Sequence, residues 1–253
     1  MLTKKELQYY ASLNKKKFRE SESQFIVEGK RIIEEGINSD LKPEIILFTD
    51  EFNSTNFSLI EKLKSLQIRL EKIEHTNFKK IADTKNPQGI AAVFHKKEIK
   101  SALDCKNNII VALESISDPG NLGTILRTCA WFGVYDIILS SNTVDLYNPK
   151  VIRSSMGAIF NLQILQPTDF YSELIKLKNN GYSISFADVK GENIFNFKPK
   201  EKFVVTFCNE ANGASKILTE ICNLRISIPK LGNGESLNVA AAAAVIISQI
   251  TNK

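Results

Sequence analysis

Three segments of this chain concentrate small, amide and charged residues directly after apolar, β-branched runs: "SISDPGNLGTILRT" (115–128), "CNEANGAS" (208–215) and "PKLGNGESLNV" (229–239). Gly120 and Gly123 permit close backbone approach, Asn121 offers an amide, and Arg127 stands one to two turns into an apolar helical pattern. Asn209 and Glu210 follow a run apolar enough to be a buried strand, where an unpaired carboxylate is costly. Ser236 and Asn238 precede five consecutive alanines, so either one caps that helix or grips a ligand. Gly232 and Gly234 begin a G-x-G-x-x-G pattern, but Leu237 stands at the third glycine. The second strand and acidic residue that a dinucleotide needs about 20 positions on find no room before Lys253. These residue types together suit a ligand site. The loops hold no histidine for general-base work.

The elements that position these loops alternate in type. Apolar runs at 108–116, 135–141, 162–167, "YSISFAD", "KFVVTFCNE" and "LRISIPK" read as strands. Segments 120–134, 150–160, 170–181, 215–222 and the alanine-rich end read as helices between them. This alternation predicts a mostly parallel sheet with its ligand site at the C-terminal strand ends. An earlier alternation, with strands at 43–50 and 90–95 and an amphipathic helix at 56–67, predicts a small α/β domain closing near residue 96. The polar stretch "KKEIKSALDCKNN" (96–108) is the linker candidate.

Composition bounds the partners. Among 253 residues, 33 Lys and Arg stand against 28 Asp and Glu. Residues 1–100 carry 19 basic and 15 acidic side chains, whereas 101–253 carry 14 and 13. The positive excess therefore lies in the first part, densest at "NKKKFR" (14–19) and "GKR" (29–31), which suits a phosphate backbone or a solvated face. Cys105, Cys129, Cys208 and Cys222 form no C-x-x-C pair and lie far in sequence from His75 and His95, so no metal site is expected. The N-terminus lacks the apolar core of a signal peptide, and no run of about 18 apolar residues exists. A cytoplasmic protein with reduced thiols is expected.

The ordered segments closely resemble the SpoU, or TrmH-type, RNA 2′-O-ribose methyltransferases of the SPOUT superfamily. The first motif matches "DPGNLGTILRTCAWFG" (118–133), with Asn121, Gly123 and Arg127. The second matches "NEANG" (209–213), with Glu210 and Gly213, and the third "IPKLGNGESLNVAAAAA" (228–244), with Pro229, Ser236, Leu237 and Asn238. The similarity extends through "NPKVIRSSMGAIF" (148–160), and in the first part through "FIVEGKRII" and "NPQGIAAV".

The resemblance implies a small ribosomal-protein-like α/β RNA-binding domain (1–98). It further implies an α/β methyltransferase domain (106–253) whose parallel sheet carries a deep trefoil knot. It implies S-adenosylmethionine as cofactor, an obligate homodimer, and structured RNA as substrate, with ribosomal RNA favoured over transfer RNA and no DNA or membrane partner. Asn121, Arg127, Glu210, Ser236 and Asn238 are the expected catalytic set. Thr206, Cys208, Gly213, Ile228, Leu237 and Asn238 are the expected cofactor contacts. Lys15, Lys16, Lys17, Arg19, Lys30, Arg31 and Arg153 are the expected RNA contacts. One departure stands out: Cys208 occupies a position where the family usually has glycine. It supports a competing reading, a non-catalytic RNA-binding protein that retains a degenerate methyltransferase domain.

Overall fold

The computed structural model describes residues 2–97, 108–199, 201–209 and 213–252. Most of the expected linker therefore lies outside the described residues. The chain divides into two compact units, and the division is not contiguous: residues 1–97 together with 145–160 form one, and 98–144 with 161–253 the other.

In the first unit the order is α1 (Lys4–Ser12), α2 (Lys16–Glu22), β1 (Gln24–Glu28), α3 (Lys30–Asn38), β2 (Ile45–Phe48), α4 (Asp50–Thr55), α5 (Phe57–Ser65), β3 (Leu70–Lys72), α6 (His75–Ile81) and β4 (Ile90–His95). Among the described residues the sheet runs β1-β4-β2-β3, antiparallel except for the parallel β2–β3 pair. Thr3 starts α1 with a capping box completed by Glu6, which satisfies two otherwise orphaned N–H groups.

The segment 145–160 packs into this unit through small and aromatic residues. A Cβ on Gly36 of α3 would stand 3.0 Å from Phe94 and 3.3 Å from Phe160. Phe25, Phe94, Tyr147 and Phe160 form one aromatic cluster, with Phe25 and Tyr147 centroids 4.6 Å apart. Burial pushes the Tyr147 phenol up to about 12, and its oxygen accepts the Lys97 amide at 3.1 Å.

Asp145 anchors the same segment, and here one expectation is corrected. Arg19 is only 2% exposed. Its Nε and Nη2 donate to Asp145 Oδ2 at 3.0 and 2.6 Å, and its Nη1 donates to the Leu13 carbonyl at 2.9 Å. A guanidinium committed in this way cannot serve an RNA phosphate, so Arg19 leaves the RNA-contact set. Its neighbours Lys15, Lys16 and Lys17 are exposed.

In the second unit β5 (Ile109–Glu114), α7 (Pro119–Trp131), β6 (Asp136–Leu139), β7 (Gln163–Leu165), α9 (Phe170–Asn179), β8 (Ser183–Asn193), β9 (Phe203–Cys208), α10 (Lys216–Ile221), β10 (Leu224–Ser227) and α11 (Val239–Thr251) alternate; α8 (Pro149–Ser155) belongs to the segment docked in the first unit. Among the described residues the strands pair in the order β10-β8-β9-β5-β6-β7, all in parallel. β5 and β9 are central and almost wholly buried, which accounts for their continuous apolar runs.

The pairing of β8 with β10 contains a register shift. Arg225 lies opposite Phe186, yet Ile226 lies opposite Glu192, so residues 187–191 are left out of the pairing. Gly191 is demanded there: a Cβ would come within 2.6 Å of the Arg225 and Ile226 backbone.

The Arg19–Asp145 pair generates a prediction. Asp145→Ala strands a buried guanidinium, and the expected cost is about 3–5 kcal/mol in denaturant melts of the full chain. Neutralising exposed Lys15, Lys16 and Lys17 together should move stability by no more than about 0.5 kcal/mol each. Equal melts for Asp145→Ala and the parent would refute the structural role of the pair.

Candidate active site

The parallel sheet delivers its loops to one edge, and a cavity of about 500 Å³ opens at the ends of β8, β9 and β10. Its apolar wall comes from Phe207, Ile226 and Ile228 and from Val239, Ala242 and Ile246 of α11. The out-of-register stretch of β8 contributes Ala187, Asp188 and Val189, and the loop before α11 contributes Lys230, Glu235, Ser236 and Leu237. Of the residues expected from sequence to hold a cofactor, Cys208, Gly213, Ile228 and Leu237 line this cavity.

Thr206 and Asn238 do not line it, which corrects both expectations. Thr206 sits in mid-strand between Ala112 and Phe186 with no exposed surface. Its hydroxyl is buried without a hydrogen-bond partner. Asp188, Glu235 and Lys230 were missed by sequence reasoning. Asp188 was within reach of the strand-end rule, since it closes the run "YSISFAD".

Two side-chain bridges join the three loops. Asn238 caps α11, its Oδ1 accepting from the Ala240 and Ala241 amides. Those donors fix the amide orientation and turn Nδ2 toward Asn121 Oδ1, to which it donates at 3.0 Å. Asn121 belongs to the first turn of α7, where Asp118 caps the helix and Pro119 occupies the first position. The second bridge runs from Asn209, whose Nδ2 donates to the Ser115 carbonyl at 3.1 Å and to Ser117 Oγ at 3.2 Å. Ser115 holds a left-handed backbone (φ 58°), which turns the chain out of β5. Gly213, also left-handed (φ 63°), closes the second-motif loop through its amide on the Asn209 carbonyl at 2.9 Å.

Ser236 is exposed at the cavity. Arg127 is exposed on α7, does not line the cavity, and takes no hydrogen bond or ion pair among the described residues. Glu210 lies outside the described residues. Cys208 is 8% exposed, and its thiol packs among Ala112, Leu218 and Cys222 on the α9–α10 face. Burial, reinforced by the nearby Glu114 carboxylate, pushes that thiol far up, so it stays a neutral –SH.

In the first unit, Lys30 Nζ donates to Asn56 Oδ1 at 2.9 Å, Arg31 is exposed, and Arg153 of α8 pairs with Asp83 at 2.8 Å with 30% of its side chain accessible. Among the described residues no group of His, Cys, Asp or Glu is arranged to hold a metal ion.

The Asn121–Asn238 bridge can be measured by a double-mutant cycle. Asn238→Ala loses cap and bridge together and should cost about 1–2 kcal/mol. Asn121→Ala loses the bridge but keeps the α11 cap and should cost about 0.5–1 kcal/mol. The double variant should fall no further than Asn238→Ala by more than about 0.3 kcal/mol, whereas simple addition of the two costs means no bridge in solution.

Comparison with known proteins agrees with this arrangement. The SpoU rRNA methylase family matches residues 108–248, and an MRM3-like substrate-binding domain matches residues 4–92. A Bacillus subtilis protein named 23S rRNA (guanosine(2553)-2′-O)-methyltransferase RlmP is 30% identical over 239 residues, covering 94% of this chain and 92% of the relative. A TrmH-family protein structure from Porphyromonas gingivalis superimposes with a TM-score of 0.84 at 26% identity, each chain covered to 98%. The SpoU methyltransferase AviRb from Streptomyces viridochromogenes, solved in complex with AdoMet, shares the fold with a TM-score of 0.84 at 21% identity and 97% coverage of both chains. The chain belongs to the SpoU rRNA methylase family and is an RNA methyltransferase.

Proposed function

We propose that this enzyme transfers a methyl group from S-adenosylmethionine to a ribose 2′-hydroxyl of structured RNA, with ribosomal RNA as the substrate class. The observation that carries the reading is the cavity of about 500 Å³ at the strand ends, walled by second- and third-motif residues and tied to the first motif through Asn238 and Asn121. Its size suits a small-molecule cofactor. Its residues also suit one with an aromatic base at one end and an amino acid at the other. Phe207, Ile228, Leu237 and Ile246 would hold the adenosine. Asp188 and Glu235 would face the cationic groups, and Lys230 the carboxylate. When bound, the cofactor supplies an electrophilic methyl carbon on a sulfonium.

The chain's own residues then align and activate the oxygen. An in-line displacement gains much of its rate from positioning, and Asn121, Ser236, Asn238 and Glu210 would order the loops that provide it. A guanidinium is always protonated at ordinary pH. Arg127 therefore acts by gripping the ribose or adjacent phosphate and stabilising developing alkoxide charge. Residues 1–98 would bind the RNA and 106–253 would carry the chemistry, in a cytoplasmic homodimer with a trefoil-knotted catalytic domain. The B. subtilis relative bears a 23S rRNA name, which favours ribosomal over transfer RNA. Selection for the 2′-hydroxyl gives DNA no role. The competing non-catalytic reading rested on Cys208. Its thiol belongs to the core cluster built on α9 and α10, on the face opposite Phe207, while Cys208 still borders the cavity.

The direct test maps 2′-O-methylated nucleotides across total RNA from a deletion strain and its parent, and the expected result is loss of a ribosomal site. An unchanged map would end the proposal. Arg127→Ala should reduce turnover at least about a hundredfold, the scale of a lost charge stabiliser, with cofactor binding intact. Arg127→Lys should be nearly as poor if planar multi-donor geometry matters. Near-parental turnover of Arg127→Ala on the mapped RNA removes Arg127 from the mechanism.

A second measurement addresses the RNA face. Replacing Lys15, Lys16 and Lys17 with Gln should flatten the slope of log affinity against log salt by up to about 2–3, because each phosphate contact releases counterion. An unchanged slope assigns these lysines to a solvated face.

A further inference from the structure

We propose that Glu114, at the end of β5, is a positioning residue that sets the second-motif loop and thereby the shape of the cofactor cavity; the inference rests on the S-adenosylmethionine reading of that cavity. Glu114 touches no part of the cavity itself. It acts through the two ends of the loop that does.

Glu114 is 4% exposed. The parallel register of β5 and β9 places it opposite Cys208, the last residue before the loop, and its backbone carbonyl accepts the Asn209 amide at 3.2 Å. Its side chain then reaches the far end of the same loop. Oε2 accepts the Ser215 amide at 3.2 Å, and Oε1 accepts the Tyr171 hydroxyl at 2.7 Å. Tyr171 lies 3.1 Å from Ser215 Oγ, which itself accepts the Leu218 amide at 3.1 Å and caps α10. The Cys208 thiol lies near the Glu114 side chain, whose charge adds to burial in pushing that thiol up. One residue therefore holds Cys208 and Asn209 at the loop's start and Ser215 at its end. Between them lie Gly213 and Ala214, both lining the cavity.

The polarity of this network selects a carboxylate. The backbone N–H of Ser215 can only donate. The Tyr171 hydroxyl donates to Glu114 Oε1 and also points at Ser215 Oγ, which accepts the Leu218 amide as well. The Ser215 amide and the Tyr171 hydroxyl both run toward Glu114, and an acceptor-only group accommodates the two together. A glutamine keeps the size and one acceptor. Its Nε2 forces Tyr171 to reverse, a change the hydroxyls can absorb in part.

A carboxylate buried at this depth is retained at a desolvation cost that an apolar side chain of similar volume avoids. Stability alone gives no reason for it. A loop that must present its backbone to a cofactor at fixed geometry does.

The test combines kinetics with hydrogen exchange on the full chain. Glu114→Leu should raise KM and Kd for S-adenosylmethionine about tenfold or more, the scale of one lost charged hydrogen bond, while kcat at saturating cofactor stays within about threefold. The Gly213 and Ser215 amides should exchange at least about tenfold faster, with α11 amides unchanged. Glu114→Gln should recover KM to within about threefold of the parent. Parental KM together with parental exchange at Gly213 and Ser215 in Glu114→Leu would overturn the proposal, as would a fall confined to kcat. If Glu114→Leu does not fold, Tyr171→Phe removes one donor only. It should raise KM and loop exchange by about threefold, and no change in either quantity overturns the proposal equally. Calorimetry on the parent separates the two readings. Absence of S-adenosylmethionine binding there rejects the cofactor assignment, whereas the exchange measurement judges Glu114's hold on the loop whether or not the cofactor binds.

Discussion

The site depends on one pairing, the parallel register of β5 with β9. It sets Glu114 beside Cys208 and sends two chain segments out of the same sheet edge, so that Asn209 meets Ser115 across 94 positions of sequence. Side chains alternate along a strand, and a slip of one residue would exchange the faces of the whole of β9. In the observed register Phe207 walls the cavity, while Val204 and Cys208 point into the α9–α10 core. The same register provides an apolar cofactor wall on one side and a buried polar junction on the other. The Asn238–Asn121 bridge adds the first motif only because that edge already exists.

Much of this was legible from sequence because its causes are local. Apolar runs, glycines with special backbone and capping residues announced the strands, loops and helices, and the three motif loops proved to lie at one edge of one sheet. The misreadings have tertiary causes. Arg19 sits in a run of four basic residues within six positions and looks like its neighbours. It is buried because Asp145, 126 positions away, reaches it. Nothing near Arg19 reports that partner. Thr206 lies two residues before Cys208 in the sequence, yet its place in mid-strand, not that distance, decides whether its side chain reaches the cavity. The β8 excursion was equally hidden: "FADVKGENI" reads as a fading strand. The shift that turns Asp188 toward the cavity needs Gly191 to pass the β10 backbone.

The segment 145–160 shows how a motif-like stretch can serve packing. Its sequence follows the second domain's pattern, yet its aromatic residues join Phe25 and Phe94, and Gly36 leaves room for Phe160. Asp145 contributes an ionic anchor in which one oxygen accepts two Arg19 donors. A small-residue contact, an aromatic cluster and a buried ion pair are non-local features, each specified by residues on both sides. Reading either side alone gives no hint that the compact unit interrupts the chain order.

Cys208 sits where the core packing and the cavity edge meet. A glycine beside a cofactor is commonly needed for close backbone approach, which makes any side chain there suspect. Whether a side chain obstructs depends on the face it occupies. Cys208 follows Phe207, the residue facing the cavity, so its Cβ leads to the opposite face, where Ala112 and Leu218 receive the sulfur. The backbone of Cys208 can still border the cavity while the thiol fills core volume that glycine would leave to other atoms. The departure from the family pattern is therefore matched by a packing site in the same chain, as expected of a substitution integrated into a working fold rather than of decay at an abandoned site.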